Sequence, residues 1–218
     1  MKNNIRAVIF DMDGVISDTQ IIHSRVESEL LREYGIELHP DEITKRYAGT
    51  TSYEMFPHVF QMANKDLPSL EEIVSEKRKR IDRAIQGAVR EVPGTRDFIY
   101  YLNELDIPIA VASASRLSFI DQVLIELDLR KRFNAITSSE EVAKGKPEPD
   151  IFLLAAKRLN TPPSECIVIE DGIHGMVAAK KAGMYCVGLV RDGDHNFDVY
   201  PADKLVRSLK DLRLNDLE

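Results

Sequence analysis

The chain has 218 residues, 44% of them hydrophobic and 30% charged, with a net charge of −7. This composition excludes a disordered chain, and the acidic balance argues against a nucleic-acid partner, whose phosphate backbone needs a basic face. No apolar run is long enough to cross a bilayer, and MKNNIRAVIF has no leader-like apolar stretch, so the expectation is a monomer in the cytoplasm with no membrane partner.

The first predicted element is IRAVIF, residues 5–10. It is apolar throughout, as expected of a strand buried on both faces of a parallel sheet. It runs into Phe10-Asp11-Met12-Asp13-Gly14. Two carboxylates this close beside a buried strand are costly to place unless a cation sits between them. A polar loop with two solvated acids is the alternative. A calcium loop would continue with further oxygen ligands, and here Val15 and Ile16 follow.

Residues 18 to about 86 break the strand pattern. Ile22, Val26, Leu30 and Tyr34 recur every four residues, Gly35 and Pro40 punctuate, and helical segments follow at 41–47, 52–63 and 69–86. The expected organisation is a catalytic core of residues 1–16 and 88–218, with 17–87 inserted as an all-helical cap over the end of the first strand. In EKRKR, residues 76–80, most charges read as a solvated face, although a lysine there could enter the cleft.

Strand and helix then alternate. Strands are expected at 107–112 (IPIAVA), 134–137 (NAIT), 166–169 (CIVI) and 185–190 (YCVGLV), with helices at about 95–105, 117–127, 149–159 and 173–182. Alternation of this kind predicts an α/β fold, a Rossmann-like doubly wound parallel sheet with its functional loops at the strands' carboxyl ends. Cys166 and Cys186 lie within two of these apolar runs and read as buried reduced thiols. His39, His58 and His195 carry no spacing pattern, and His174 has no evident partner.

Three of the later loops carry candidate chemistry. Ser113-Ala114-Ser115 offers a hydroxyl and free N–H groups before a helix, which suits a phosphate and suits a simple helix cap equally well. Lys146 sits between Gly145 and Pro147 on a stiff loop ahead of a helix, where a lone lysine is usually a surface charge. Glu170-Asp171-Gly172 is a second acidic pair at a strand end. Two such pairs at the ends of two strands of one sheet can converge on one hard cation such as Mg²⁺.

Together the motifs DMDGVISDT, VASAS, KGKPEPD and VIEDGIHG resemble those of the haloacid dehalogenase superfamily, in its β-phosphoglucomutase-like branch, over nearly the whole chain. The resemblance implies a Rossmann-like core with a helical cap inserted after the first motif. It implies Asp11 as nucleophile, and Asp13 as general acid/base with its backbone carbonyl on the metal. Ser113, Ala114 and Lys146 would hold the phosphate. Asp171 would bind Mg²⁺ beside Asp11, with Glu170 supporting it directly or through water. The founding dehalogenases lack an acid at the Asp13 position, so the pair points to phosphoryl transfer rather than carbon–halogen cleavage.

The insert would select the substrate. His23 resembles a cap-hinge histidine of the mutase branch that helps position the partner of Asp13, although a half-exposed residue next to Ile22 reads the same way. Where the mutase branch carries a phosphate-gripping arginine, in the loop Gly49-Thr50-Thr51-Ser52, this chain has Ser52. Arg116 or Lys77 could substitute, or both could be surface charges. The expected function is thus a magnesium-dependent phosphatase of a small phosphorylated metabolite such as a sugar phosphate, working through an aspartyl-phosphate. A β-phosphoglucomutase-type mutase and a non-enzymatic phospho-acceptor domain are the alternatives.

Overall fold

The structure, a computed structural model, describes residues 5–47, 50–190, 197–210 and 212–217; Gly49 and His195 lie outside them. Six strands form one sheet: β1 (Ala7–Phe10), β2 (Ile109–Ser113), β3 (Ala135–Ser138), β4 (Cys166–Glu170), β5 (Tyr185–Leu189) and β6 (Lys204–Val206). Their order is β3-β2-β1-β4-β5-β6, and every neighbouring pair is parallel. The chain leaves β1 for β2 and β3 on one side, then returns to place β4 on the other. A crevice therefore opens at the carboxyl ends of β1 and β4, the switch point where doubly wound sheets bind their ligands.

Side chains alternate across the sheet, so each apolar strand feeds two cores. Val8, Phe10, Val111 and Ile169 face one side; Ala7, Ile9, Ala110 and Val168 face the other. Both faces are covered by helix, which is why the strands read as continuous apolar runs rather than alternating ones.

Between β1 and β2 lie α1 (Gln20–Glu33), α2 (Pro40–Tyr47), α3 (Ser52–Met62) and α4 (Leu70–Ala84), followed by α5 (Thr95–Glu104). The first four build a hydrophobic cluster of their own from Leu30, Leu31, Ile43, Phe56, Phe60 and Ile73, among others. Tyr34, the last member of the four-residue repeat, is partly exposed at the edge of this cluster, with its ring 5.5 Å from Phe60. Val26 on α1 and Ile81 on α4 instead join the core of the sheet, which ties the helical insert to its base.

The remaining helices are α6 (Leu117–Glu126), α7 (Asp150–Arg158) and α8 (Ile173–Lys181). On the α5–α6 side, Phe10 meets Phe98 and Phe133 edge-on at centroid distances of 6.0 and 5.9 Å. The α7–α8 side is lined by small residues, including Ala155, Ala156, Ala178 and Ala179, which let those helices approach the sheet closely. Cys166 and Cys186 are free and buried, and burial raises the Cys166 thiol to about 11.

Sequence periodicity predicts every strand except β6. That strand has three residues, opens with a lysine and is half-buried at the edge, so it carries neither a long apolar run nor a clean alternation. Only its pairing with β5, through Gly188 and Leu205, makes it a strand.

Candidate active site

Asp11 is the first residue past β1. Its backbone N–H donates to the Ile169 carbonyl at 2.9 Å, which fixes it beside the end of β4. Its side chain is buried, and Lys146 Nζ donates to its Oδ1 at 2.5 Å. The same ammonium donates to Glu170 Oε2 at 2.6 Å and lies 4.9 Å from the centre of the Phe152 ring. Lys146 is only 7% exposed, so this lysine is no surface charge.

Glu170 ends β4 with both oxygens engaged. While Oε2 takes Lys146, Oε1 accepts from the backbone N–H groups of Asp171 at 3.1 Å and Gly172 at 3.0 Å. Two glycines make this packing possible. A Cβ on Gly175 would lie 1.8 Å from Glu170 Oε2. Gly14 has φ +90°, and a Cβ there would lie 2.0 Å from Asp171 Oδ2. Only glycine both tolerates that backbone and lets the Asp13 loop rest against Asp171.

One carboxylate oxygen from each of Asp11, Glu170 and Asp171 lies within 4.8 Å of the others. Two of these acids, Asp11 and Glu170, share the Lys146 ammonium. Burial, reinforced by the Glu170 charge, pushes the Asp11 carboxyl up to about 8 against the opposing pull of Lys146. Burial alone would lower the Lys146 ammonium, but Asp11 and Glu170 outweigh it and hold the group above its ordinary value. A donor set of three carboxylates fits a hard divalent cation such as Mg²⁺.

Asp13 bonds to a different set of groups. Thr19 donates to its Oδ1, Ser115 Oγ donates to its Oδ2 at 3.1 Å, and Ser113 Oγ stands at the 3.5 Å limit. Ser113 is fully buried and its Oγ accepts the Ser115 N–H at 3.0 Å, so it sits behind the loop that Ala114 and Ser115 present to the cleft. Thr19 and Ser115 escape the sequence reading. Both lie inside its motifs, but a hydroxyl reveals no partner until the loops are folded.

His23 lies on the first turn of α1, its Nε2 3.8 Å from Asp13 Oδ1 and its ring edge-on to Phe119 at 5.3 Å. The Nε2 is buried without a hydrogen-bond partner among the described residues. Burial lowers its pKa, opposed by the Asp13 charge. The side chain is turned toward Asp13 rather than half-exposed.

From the insert, Lys77 alone of the EKRKR run is buried. Its Nζ is 2.5 Å from Glu27 Oε1 and donates to Ser52 Oγ at 2.6 Å. Arg116, at the start of α6, forms an ion pair with Asp82 of α4, which joins the core to the insert. The cleft between them has a volume of about 360 Å³. Every candidate residue lines it except Ser113, and so do Thr50, Thr51 and Tyr53. Gly49 of the same loop lies outside the described residues.

Comparison with known proteins bears on the family and the fold. The family model for haloacid dehalogenase-like hydrolases matches residues 8–189. A phosphorylated carbohydrates phosphatase from Thermotoga maritima is 32% identical over 182 residues, covering 83% of this chain and 82% of its own. A β-phosphoglucomutase from Bacillus subtilis is 32% identical over 216 residues, covering 96% and 92%. The crystal structure of a β-phosphoglucomutase from Clostridium difficile superposes with a TM-score of 0.84 at 27% identity, covering 98% of this chain and 95% of that one. Among the described residues, no helix is long and apolar enough to cross a membrane.

Proposed function

The chain belongs to the haloacid dehalogenase-like hydrolase family as a phosphoryl-transfer enzyme of its β-phosphoglucomutase-like branch, and from that premise we propose that it is a magnesium-dependent phosphatase of a small phosphorylated metabolite, acting through an aspartyl-phosphate on Asp11. The observation that carries this reading is the buried Asp11, tied to Lys146 and grouped with Glu170 and Asp171 at the floor of the cleft.

Lys146 occupies Asp11 Oδ1, while no described group donates to Oδ2, which leaves that oxygen for the substrate phosphorus. Two unit charges about 4 Å apart repel by about 4 kcal/mol at an effective dielectric near 20, and a phosphate dianion roughly doubles this. Lys146 offsets part of that repulsion. A magnesium ion held by Asp11, Asp171 and the Asp13 carbonyl, with Glu170 in support, would neutralise the remainder when bound. The loop of Ala114 and Ser115, braced from behind by Ser113, would seat the phosphate oxygens. Attack by Asp11 breaks the bond from phosphorus to the leaving oxygen and makes an acyl phosphate, splitting one hard step into two easier ones. Asp13, turned from its serine and threonine donors, gives a proton to the leaving oxygen and then takes one from the incoming water. His23 would steady Asp13 at the hinge. Residues 17–87 would act as a cap that closes over the substrate, so that Ser52, Lys77 and Arg116 meet its far end.

A cleft of about 360 Å³ suits a small metabolite such as a sugar phosphate. The mutase reading retains one support, the similarity to β-phosphoglucomutases. Against it, Ser52 stands where that branch grips a second phosphate, and its hydroxyl is already bonded to Lys77. A panel of sugar phosphates followed by phosphorus NMR with Mg²⁺ separates the two. The expected result is free phosphate from several substrates. Isomerisation of β-glucose 1-phosphate, stimulated by a bisphosphate, would instead establish the mutase.

A further inference from the structure

We propose that the substrate's non-reacting end is uncharged, and that Glu27 and Asp82 set this preference by holding two anchored cations of the cleft in ion pairs. The inference rests on the reading of the cleft as a phosphatase substrate site, and it deepens that reading.

Besides Lys146, three cations line the cleft: Lys77, Arg78 and Arg116. Lys77 is bound to Glu27 at 2.5 Å with both side chains almost fully buried, and its remaining contact is Ser52 Oγ. Arg116 is bound to Asp82 across the junction of core and insert. Arg78 is exposed, where water screens its charge. A second phosphate at Lys77 or Arg116 would have to share the cation with the carboxylate that already neutralises it, and would bring its own charge close to that carboxylate. At the buried Glu27 water screens that repulsion little, a costly outcome. Uncharged hydroxyl groups make no such demand, and Thr50, Thr51 and Tyr53 line the same cleft. Neither Glu27 nor Asp82 belongs to a recognisable motif; each matters through the cation it neutralises.

The test measures, by titration calorimetry with Mg²⁺, the affinities for glucose 1,6-bisphosphate and glucose 6-phosphate. It uses the full chain carrying Asp11→Asn, so that neither probe turns over. Asp82→Asn and Glu27→Gln are then added singly. The expected result is a rise in relative preference for the bisphosphate of about threefold or more in Asp82→Asn, the scale of a partly exposed ion pair, and a larger rise in Glu27→Gln. Because Glu27 lies in a buried pair, its variant is liable to misfold; the half-exposed Asp82 then decides the matter alone. An unchanged ratio in Asp82→Asn, with both probes still bound, overturns the inference and leaves the phosphatase reading standing. Failure of both probes to bind any of these proteins overturns the substrate-site reading and the inference with it.

Discussion

Asp11→Asn is expected to abolish turnover, with a loss on the order of 10⁴-fold or more, the scale seen when a covalent nucleophile is removed. The same substitution has a second effect that a passive structural residue would not show. The Asp11 carboxyl is raised from an ordinary 3.8 to about 8 by burial and by Glu170. Between those values the metal-free folded protein holds a proton that the unfolded chain has released. Stability must then fall as pH rises from about 4 to about 8. Asparagine carries no such proton, so the fall should be smaller in the variant. Thermal denaturation in a chelator at pH 5 and pH 8 measures both slopes. Equal slopes in the two proteins would show that Asp11 is not the strained group.

Lys146→Met should cost both activity and fold. Among the described residues Lys146 is the one ammonium bonded to Asp11 and Glu170, and all three side chains are buried. Removing one partner from a buried ionic cluster costs about 3–5 kcal/mol, because the charges left behind lose their compensation. Methionine keeps most of the chain's length and its packing on Phe152, so the loss reports charge rather than a cavity. Turnover should fall by about 10²–10³-fold, the range for removing one preorganised electrostatic contact from a transition state. Urea denaturation without metal and steady-state kinetics with metal give the two numbers. A variant as stable as the parent would mean that the acids are already neutralised in some other way.

The floor of this site is legible in the amino-acid order because each part follows a buried strand. Asp11 follows AVIF and Glu170 ends CIVIE; burial writes those runs in apolar residues, so the polar groups at their ends stand out. The helical insert is equally plain, since its four-residue spacing interrupts a pattern of alternating strand and helix. The rest of the cleft is another matter. Lys77 looks like any lysine of a charged helix, and only the fold turns it toward Glu27, fifty residues earlier in the chain. Arg116 and Asp82 lie on different units and meet only when core and insert pack together. Thr19 and Ser115 converge on Asp13 from separate loops for the same reason. Contacts made across a cleft leave no periodicity, so the grouping of residues at the strand ends could be read ahead of the structure, while the ion pairs of Lys77 and Arg116 could not.

The central claim is that phosphorus passes through Asp11. Rapid mixing with a substrate and Mg²⁺, followed by acid quench and peptide mapping by mass spectrometry, tests it most directly. The account predicts one phosphoryl group on the peptide that contains Asp11, absent from the Asp11→Asn protein. A phosphoryl group on a different residue, or phosphate release that continues undiminished in Asp11→Asn, would contradict it.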